Sequence, residues 1–252
     1  GDLSFADIVK PIQQIGNGLV VGGLGSTYIY FEFGYEGGLY SLFTTVGMSA
    51  TGFLMIFYPA ISKRINRKPL MNIMVMISTV GYALMILSRI IPAAGFILLT
   101  VGYMISNFGL YSYYLIMMIS IINTVEYNEY KTGERNEAII ASARPLITKM
   151  SSALIVMMTT ATYMIFGVTN YTNQISDLES ASAAGLISDA EKLEAISGVI
   201  QGVDPAQTWG LLILMVVVPY AMMILSNALY QKHYKLDEAE YARICKELEA
   251  RK

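Results

Sequence analysis

Two groups of residues in this chain have the types and spacing to do chemistry. Asn123, Glu126, Glu129 and Tyr130 fall at i, i+3, i+6 and i+7, which on a helix puts two carboxylates and their polar neighbours on one face. Acids placed together repel, so they call for cations, and Lys131 and Arg135 are the nearest in sequence. The second group is Arg144 and Lys149, which stand inside an otherwise uncharged apolar stretch. A cation at the centre of a membrane helix costs about 2.5–3.5 kcal/mol on insertion scales, so it normally faces water or an acid. Arg144 lies near the start of its stretch and can reach back to the headgroups, whereas Lys149 is about 7.5 Å deeper at 1.5 Å per residue. At 100° per residue the two are about 140° apart, so they need not touch one ligand. Pro145 removes a helical hydrogen bond beside Arg144 and adds a kink or groove.

These residues are carried by six apolar blocks, 12–33, 39–61, 70–91, 95–122, 138–168 and 210–230, each near the roughly 20 residues a spanning helix needs. Unbroken apolar runs without strict alternation predict helices rather than a barrel. The fold class is therefore all-α: a polytopic membrane protein with a bundle of six transmembrane helices over residues 1–235, followed by a tail, 236–252. Lys63, Arg64, Arg67 and Lys68 crowd the short second connection and set it in the cytoplasm by the positive-inside rule. Alternation then leaves only Arg89 and Lys192 outside and both ends of the chain inside. The formal charge of −2, with its basic residues spread over loops, excludes a nucleic-acid partner. The single cysteine, Cys245, permits no internal disulfide or thiolate cluster, and the single histidine, His233, reads as interfacial.

The chain begins at Gly1 without a signal-peptide pattern, and reads as a piece of something longer. Its first block is rich in glycine, with Gly18 and Gly22 spaced for close helix packing. Tyr28, Tyr30 and Phe31, with Glu32 and Glu36, predict an aromatic belt and acids near the outer surface. The long polar connection over 170–208 contains Ser188 and Glu191 at capping-box spacing, followed by Leu193, Ile196 and Ile200, which predicts a short amphipathic helix outside. In the tail, Asp237 caps a second such helix, with Leu236, Tyr241, Ile244 and Leu248 on one face.

No acid lies deep in these six blocks to neutralise Lys149. The countercharge must come from elsewhere, and the simplest source is a second half-domain. Transporters pair two six-helix halves around a midplane site, and exchange of a lysine with a metal ion or proton around shared carboxylates makes cation coupling the simplest function.

The same residues resemble the glycoside–pentoside–hexuronide:cation symporters, the branch of the major facilitator superfamily that includes the melibiose permeases. The resemblance is to the C-terminal six helices. It rests on Thr124-Val125-Glu126-Tyr127-Asn128-Glu129-Tyr130-Lys131, then Arg135 and Glu137, then Lys149 with Ser151 and Ser152, supported by Tyr58-Pro59 and the basic run Lys63, Arg64, Arg67, Lys68. It implies that Lys149 lies near the sugar and cation sites facing acids of an N-terminal half, and that Tyr114 stands where the melibiose permeases carry a tryptophan beside the sugar. Glu126, Glu129, Arg135 and Glu137 would belong to the cytoplasmic gate. The sequence departs from the family at Glu126 and Asn123, where relatives carry aspartate, and at Arg144 and Pro145. Arg144 hints at an anionic sugar, since a guanidinium grips carboxylate in a fork.

The reading that results is the C-terminal half of a secondary active transporter in the cell membrane. It moves a sugar, glycoside or hexuronide with sodium or a proton, needs no cofactor, and binds the coupling ion mainly through the N-terminal half. A stand-alone six-helix channel or lipid transporter acting as a homo-oligomer is the alternative. An enzyme is not expected: HExxH and GxSxG are absent.

Overall fold

The computed structural model describes residues 14–15, 18–36, 38–133, 137–234 and 236–250, with the side chains of 21–22, 50–51, 54–55, 137–144 and 146–147 left aside. Among the described residues every regular element is helical. A π-helical turn, Leu19–Leu24, runs into α1, Gly25–Phe33; there follow α2, Leu39–Ser62, α3, Arg67–Ile90, and α4, Gly95–Thr132. Next come α5, Glu137–Ile165, α6, Thr169–Ala183, α7, Asp189–Gln201, α8, Pro205–His233, and α9, Glu238–Ala250.

Among the described residues three stretches, Arg67–Ile90, Pro92–Thr132 and Pro205–His233, are each long and apolar enough to cross a bilayer. Thr148–Ile165 and Thr169–Ala183, bent by 115°, make a fourth if the pair is one span. The outside of the bundle is as apolar as its core: Phe53, Ile56, Met76, Ile97 and Met164 are each more than half exposed. Surfaces of this kind belong against lipid or another protein, not water.

The two ends of the bundle differ in charge. The basic end carries the loop with Lys63 and Arg64, the last turns of α4 and α8, and α9; the acidic end carries Glu32, Glu36 and the α6–α7 hairpin. α4 is the hub, packing on α2, α3 and α9. It approaches α3 through small residues: a Cβ on Gly102 would stand 2.7 Å from the Gly81 carbonyl oxygen and 2.8 Å from the Met85 nitrogen, so only glycine lets the two backbones meet. Ser78 Oγ donates across this contact to the Ser106 carbonyl at 3.1 Å.

α5 packs against the π turn with Ile155, Thr159 and Tyr163, spaced four apart. A Cβ on Gly18 would strike Ile155 and one on Gly23 would strike Thr159. Gly18 and Gly23 thus let α5 approach this segment closely, while the surroundings of Gly22, spaced with Gly18 for packing in the sequence, lie outside the described residues.

The connection over 170–208 holds two helices where the spacing predicts one. Gly167, at φ +66°, turns the chain out of α5, and α6 and α7 then fold back so that Ile175 and Ile196 are buried with Tyr28, Phe31 and Leu211. The capping box is present: Ser188 N donates to Glu191 Oε2 at 2.8 Å and Glu191 N to Ser188 Oγ at 3.3 Å. At the other end α9 lies on α4, with Ile244 fully buried and Leu236, Tyr241 and Leu248 in the same cluster. Asp237 Oδ1 accepts from Glu240 N at 2.8 Å and caps it.

Candidate functional site

Lys149 lies 12 residues into α5, about 18 Å from its start. Its side chain is exposed, in a stripe with Pro145, Ser152, Ala153, Val156, Thr160 and Met164 that recurs every three or four residues. Neighbouring Met150 and Met157 are 57% and 65% exposed, so the lysine emerges from a largely apolar surface. Among the described residues no acid pairs with it. Ser151, by contrast, is fully buried on the opposite face. Tyr114 is half-buried on α4. Arg135, and the side chains of Arg144 and Glu137, lie outside the described residues.

α4 does not stop where the apolar block ends. It runs unbroken to Thr132, 10 residues or about 15 Å past Ile122, and closes on Gly133 at φ +74°. Asn123, Glu126, Glu129 and Tyr130 therefore ride on one rigid extension at the basic end. Asn123 is buried there; with its amide oriented to satisfy both ends, its oxygen accepts from Arg67 Nη1 at 2.6 Å and its nitrogen donates to the Ile119 carbonyl at 3.2 Å. Glu126 Oε2 is buried and hydrogen-bonds to no described residue. Burial, a hydrogen bond with Cys245 and the Glu126 carboxylate push the Tyr241 phenol of α9 up to about 12. Glu129 and Tyr130 are half-buried, with Arg243 of α9 at 5.6 Å over the Tyr130 ring. Lys131, the nearest cation in sequence, stands 4.6 Å over the Tyr127 ring.

The residue that organises this end is Arg67, which the sequence presents as one of a basic loop run that sets orientation and supports the family resemblance, not as a partner of Glu238. Its side chain is 11% exposed. Glu238 Oε1, from the start of α9, accepts from Arg67 N at 2.7 Å and from Nε at 2.8 Å. One carboxylate oxygen thus caps the N-terminus of α3 and pairs the guanidinium at once. Burial alone would raise the Glu238 carboxyl, yet the Arg67 backbone N–H and guanidinium outweigh it and hold it below the ordinary carboxylate range. From Arg67 a chain of phenols runs inward between α4 and α8. Tyr234 OH donates to the Ser120 carbonyl at 3.3 Å, Tyr230 OH meets Ser120 Oγ at 2.7 Å, and Tyr113 OH meets Ser226 Oγ at 2.8 Å.

A second brace closes the acidic end. Arg89 of α3 pairs with Glu32 of α1, donates to the Pro205 carbonyl at 3.2 Å, and lies 5.4 Å over the Trp209 ring of α8. Three helices are tied by one guanidinium, whose fork reaches several acceptors at once. Nearby, Tyr35 OH donates to Glu179 Oε1 at 2.7 Å. Burial and the Glu179 carboxylate both raise the Tyr35 phenol, so it stays a donor.

Among the described residues no three His, Cys, Asp or Glu side chains converge on a metal position. The ionic contacts sit at the two ends of a helical bundle, and one unmatched lysine stands midway along a helix. Together the fold and this distribution of charge define an all-α, multi-pass membrane protein, with apolar helices outside and polar locks at each end.

The particular family follows from comparison. Residues 17–238 match the family described as MFS/sugar transport protein, so the chain belongs to that family, in agreement with the symporter resemblance of its motifs. The lactose permease of Leuconostoc lactis is 29% identical over 110 residues, which is 44% of this chain and 16% of that protein. The lactose permease of Lactobacillus delbrueckii subsp. bulgaricus is 23% identical over 211 residues, 84% of this chain and 28% of that protein. That of Lactobacillus helveticus is 25% identical over 145 residues, 58% of this chain and 18% of that protein. The chain thus spans less than a third of each relative's length. The family is one described by sugar transport.

Proposed function

We propose that this chain is the C-terminal half of a secondary active transporter that moves a sugar or glycoside by symport with sodium or a proton. The observation that supports it is Lys149: a cation midway along a helix, exposed on an apolar surface, with no acid among the described residues to meet it. Against lipid this arrangement would cost about 2.5–3.5 kcal/mol. Opposite an N-terminal half that supplies carboxylates, the same lysine becomes the charged element of a midplane site, and exchange with a coupling cation around those carboxylates is inexpensive. Tyr114 is the stacking platform for a pyranose, and Arg144 a contact for an anionic group. Glu126, Glu129, Arg135 and Glu137 form the gate at the basic end, which faces the cytoplasm of a cell membrane by the positive-inside rule. Alternating access rocks this bundle against its partner half.

The test is uptake of lactose and of a glucuronide into proteoliposomes containing the full-length transporter. Lys149→Gln is expected to abolish uptake of both, and Arg144→Gln to reduce the glucuronide more than lactose. Uptake above half of the unmodified rate in Lys149→Gln overturns the role given to Lys149; equal losses in Arg144→Gln remove the anion contact.

A further inference from the structure

Between α1 and α6, at the acidic end, a cleft of about 150 Å³ opens to the surface. Its floor is Thr27 and Ile175, 8% and 6% exposed, and its rim carries Ser176 and Glu179, both exposed. At about 30 Å³ per water this is room for roughly five waters, or for one sugar ring in their place.

The lining is ordered to accept from hydroxyls. Tyr163 OH stands 3.1 Å from the Gly23 carbonyl. Thr27 Oγ1, which lines the cleft, meets Tyr163 OH at 2.5 Å, and whichever hydroxyl donates, the Thr27 oxygen keeps at least one further lone pair as an acceptor. Glu179 receives the Tyr35 hydroxyl on Oε1, which fixes its orientation and leaves Oε2 available as an acceptor. Tyr30 lines one wall, and its ring is held by Tyr35 at 4.7 Å and Tyr40 at 6.4 Å. Rigid aromatic area costs little entropy on binding. A carboxylate, hydroxyl acceptors and a braced aromatic are the chemistry that receives a neutral pyranose and repels an anionic one. The floor also joins α5: Tyr163 lies 14 residues, about 21 Å, beyond Lys149 on the same helix.

We infer that this cleft is an accessory carbohydrate subsite for a neutral pyranose unit, about 21 Å along α5 from Lys149 toward the acidic end. It rests on the reading of the protein as a sugar transporter, and it gives that transporter a first contact for neutral sugars, separate from the midplane lysine.

Two measurements on the full-length transporter test it. In the first, Ser176→Cys is labelled with a maleimide in the presence of lactose, methyl galactoside, a glucuronide or glycerol. Protection by the two neutral sugars, with none by the glucuronide or glycerol, is expected, and it should persist when Lys149→Gln is added. No protection by either neutral sugar, or equal protection by glycerol, overturns the subsite. In the second, Glu179→Gln and Tyr30→Ala are expected to raise KM for lactose about tenfold with Vmax within twofold; an unchanged KM in both overturns it. Protection that survives alongside normal uptake in Lys149→Gln would keep the subsite and sink the transport role of Lys149, so the two failures are distinct.

Discussion

The contact of Glu238 with Arg67 sets how firmly the tail helix α9 is held, and Glu238→Ala removes it. Two charge-assisted hydrogen bonds converge on one oxygen, and at about 1.5 kcal/mol each they would sum to about 3 kcal/mol. The Glu238 side chain is 40% exposed, so water screens part of this, and about 2 kcal/mol is the expected loss, a roughly thirtyfold shift toward the undocked tail. Glu238→Gln keeps the acceptor without its charge and is expected to give about half that free energy. Cys245 reports the change, since it is half-buried on α9 and hydrogen-bonded to Tyr241. The assay is the rate of maleimide modification of Cys245 in the full-length protein, read by mass spectrometry of the peptide that carries it. Ile244→Ala, which empties a fully buried position, serves as the control for an undocked tail, at about 2–5 kcal/mol. If Ile244→Ala accelerates labelling and Glu238→Ala stays within twofold of the unmodified rate, the ion pair does not hold the tail and the reasoning fails.

Two further outcomes follow from the same geometry. The folded carboxyl of Glu238 lies below its ordinary value of about 4.3, so its contribution is full above that pH and is lost as pH falls through the depressed folded value; a spin label at Cys245 should gain mobility only below about pH 4. Gly102→Ala places a methyl 2.7 Å from the Gly81 carbonyl and 2.8 Å from the Met85 nitrogen, where backbone on both sides cannot give. It should destabilise the α3–α4 pair by about 1–3 kcal/mol, measured as a lower Tm in detergent, and an unchanged Tm would show that the pair can separate without cost.

Much of the candidate site was legible because it depends on spacing along one helix. Asn123, Glu126, Glu129 and Tyr130 share a face whatever α4 packs against, and the isolation of Lys149 follows from the absence of acids in its apolar block. Arg67 and Glu238 were not legible as a pair: 171 residues separate them, and each alone looks like an ordinary surface charge. The same holds for Glu32 with Arg89, and for Tyr35 with Glu179, 144 residues apart. Helix α6 was missed for a related reason. Its sequence is largely polar, and burial of Ile175 against the bundle end, with Tyr171 and Leu178 packed on the same cluster, accounts for its place in the fold more than local pattern does.

Sequence by itself determined that this is a helical membrane protein with a lysine set in an apolar block that holds no acid, because bilayer thickness, hydropathy and the cost of charge in hydrocarbon act on each segment independently. Tertiary structure alone decided which charges meet, which glycines touch, and that the polar connection folds back over the acidic end. Those outcomes depend on through-space distances between segments far apart in the chain.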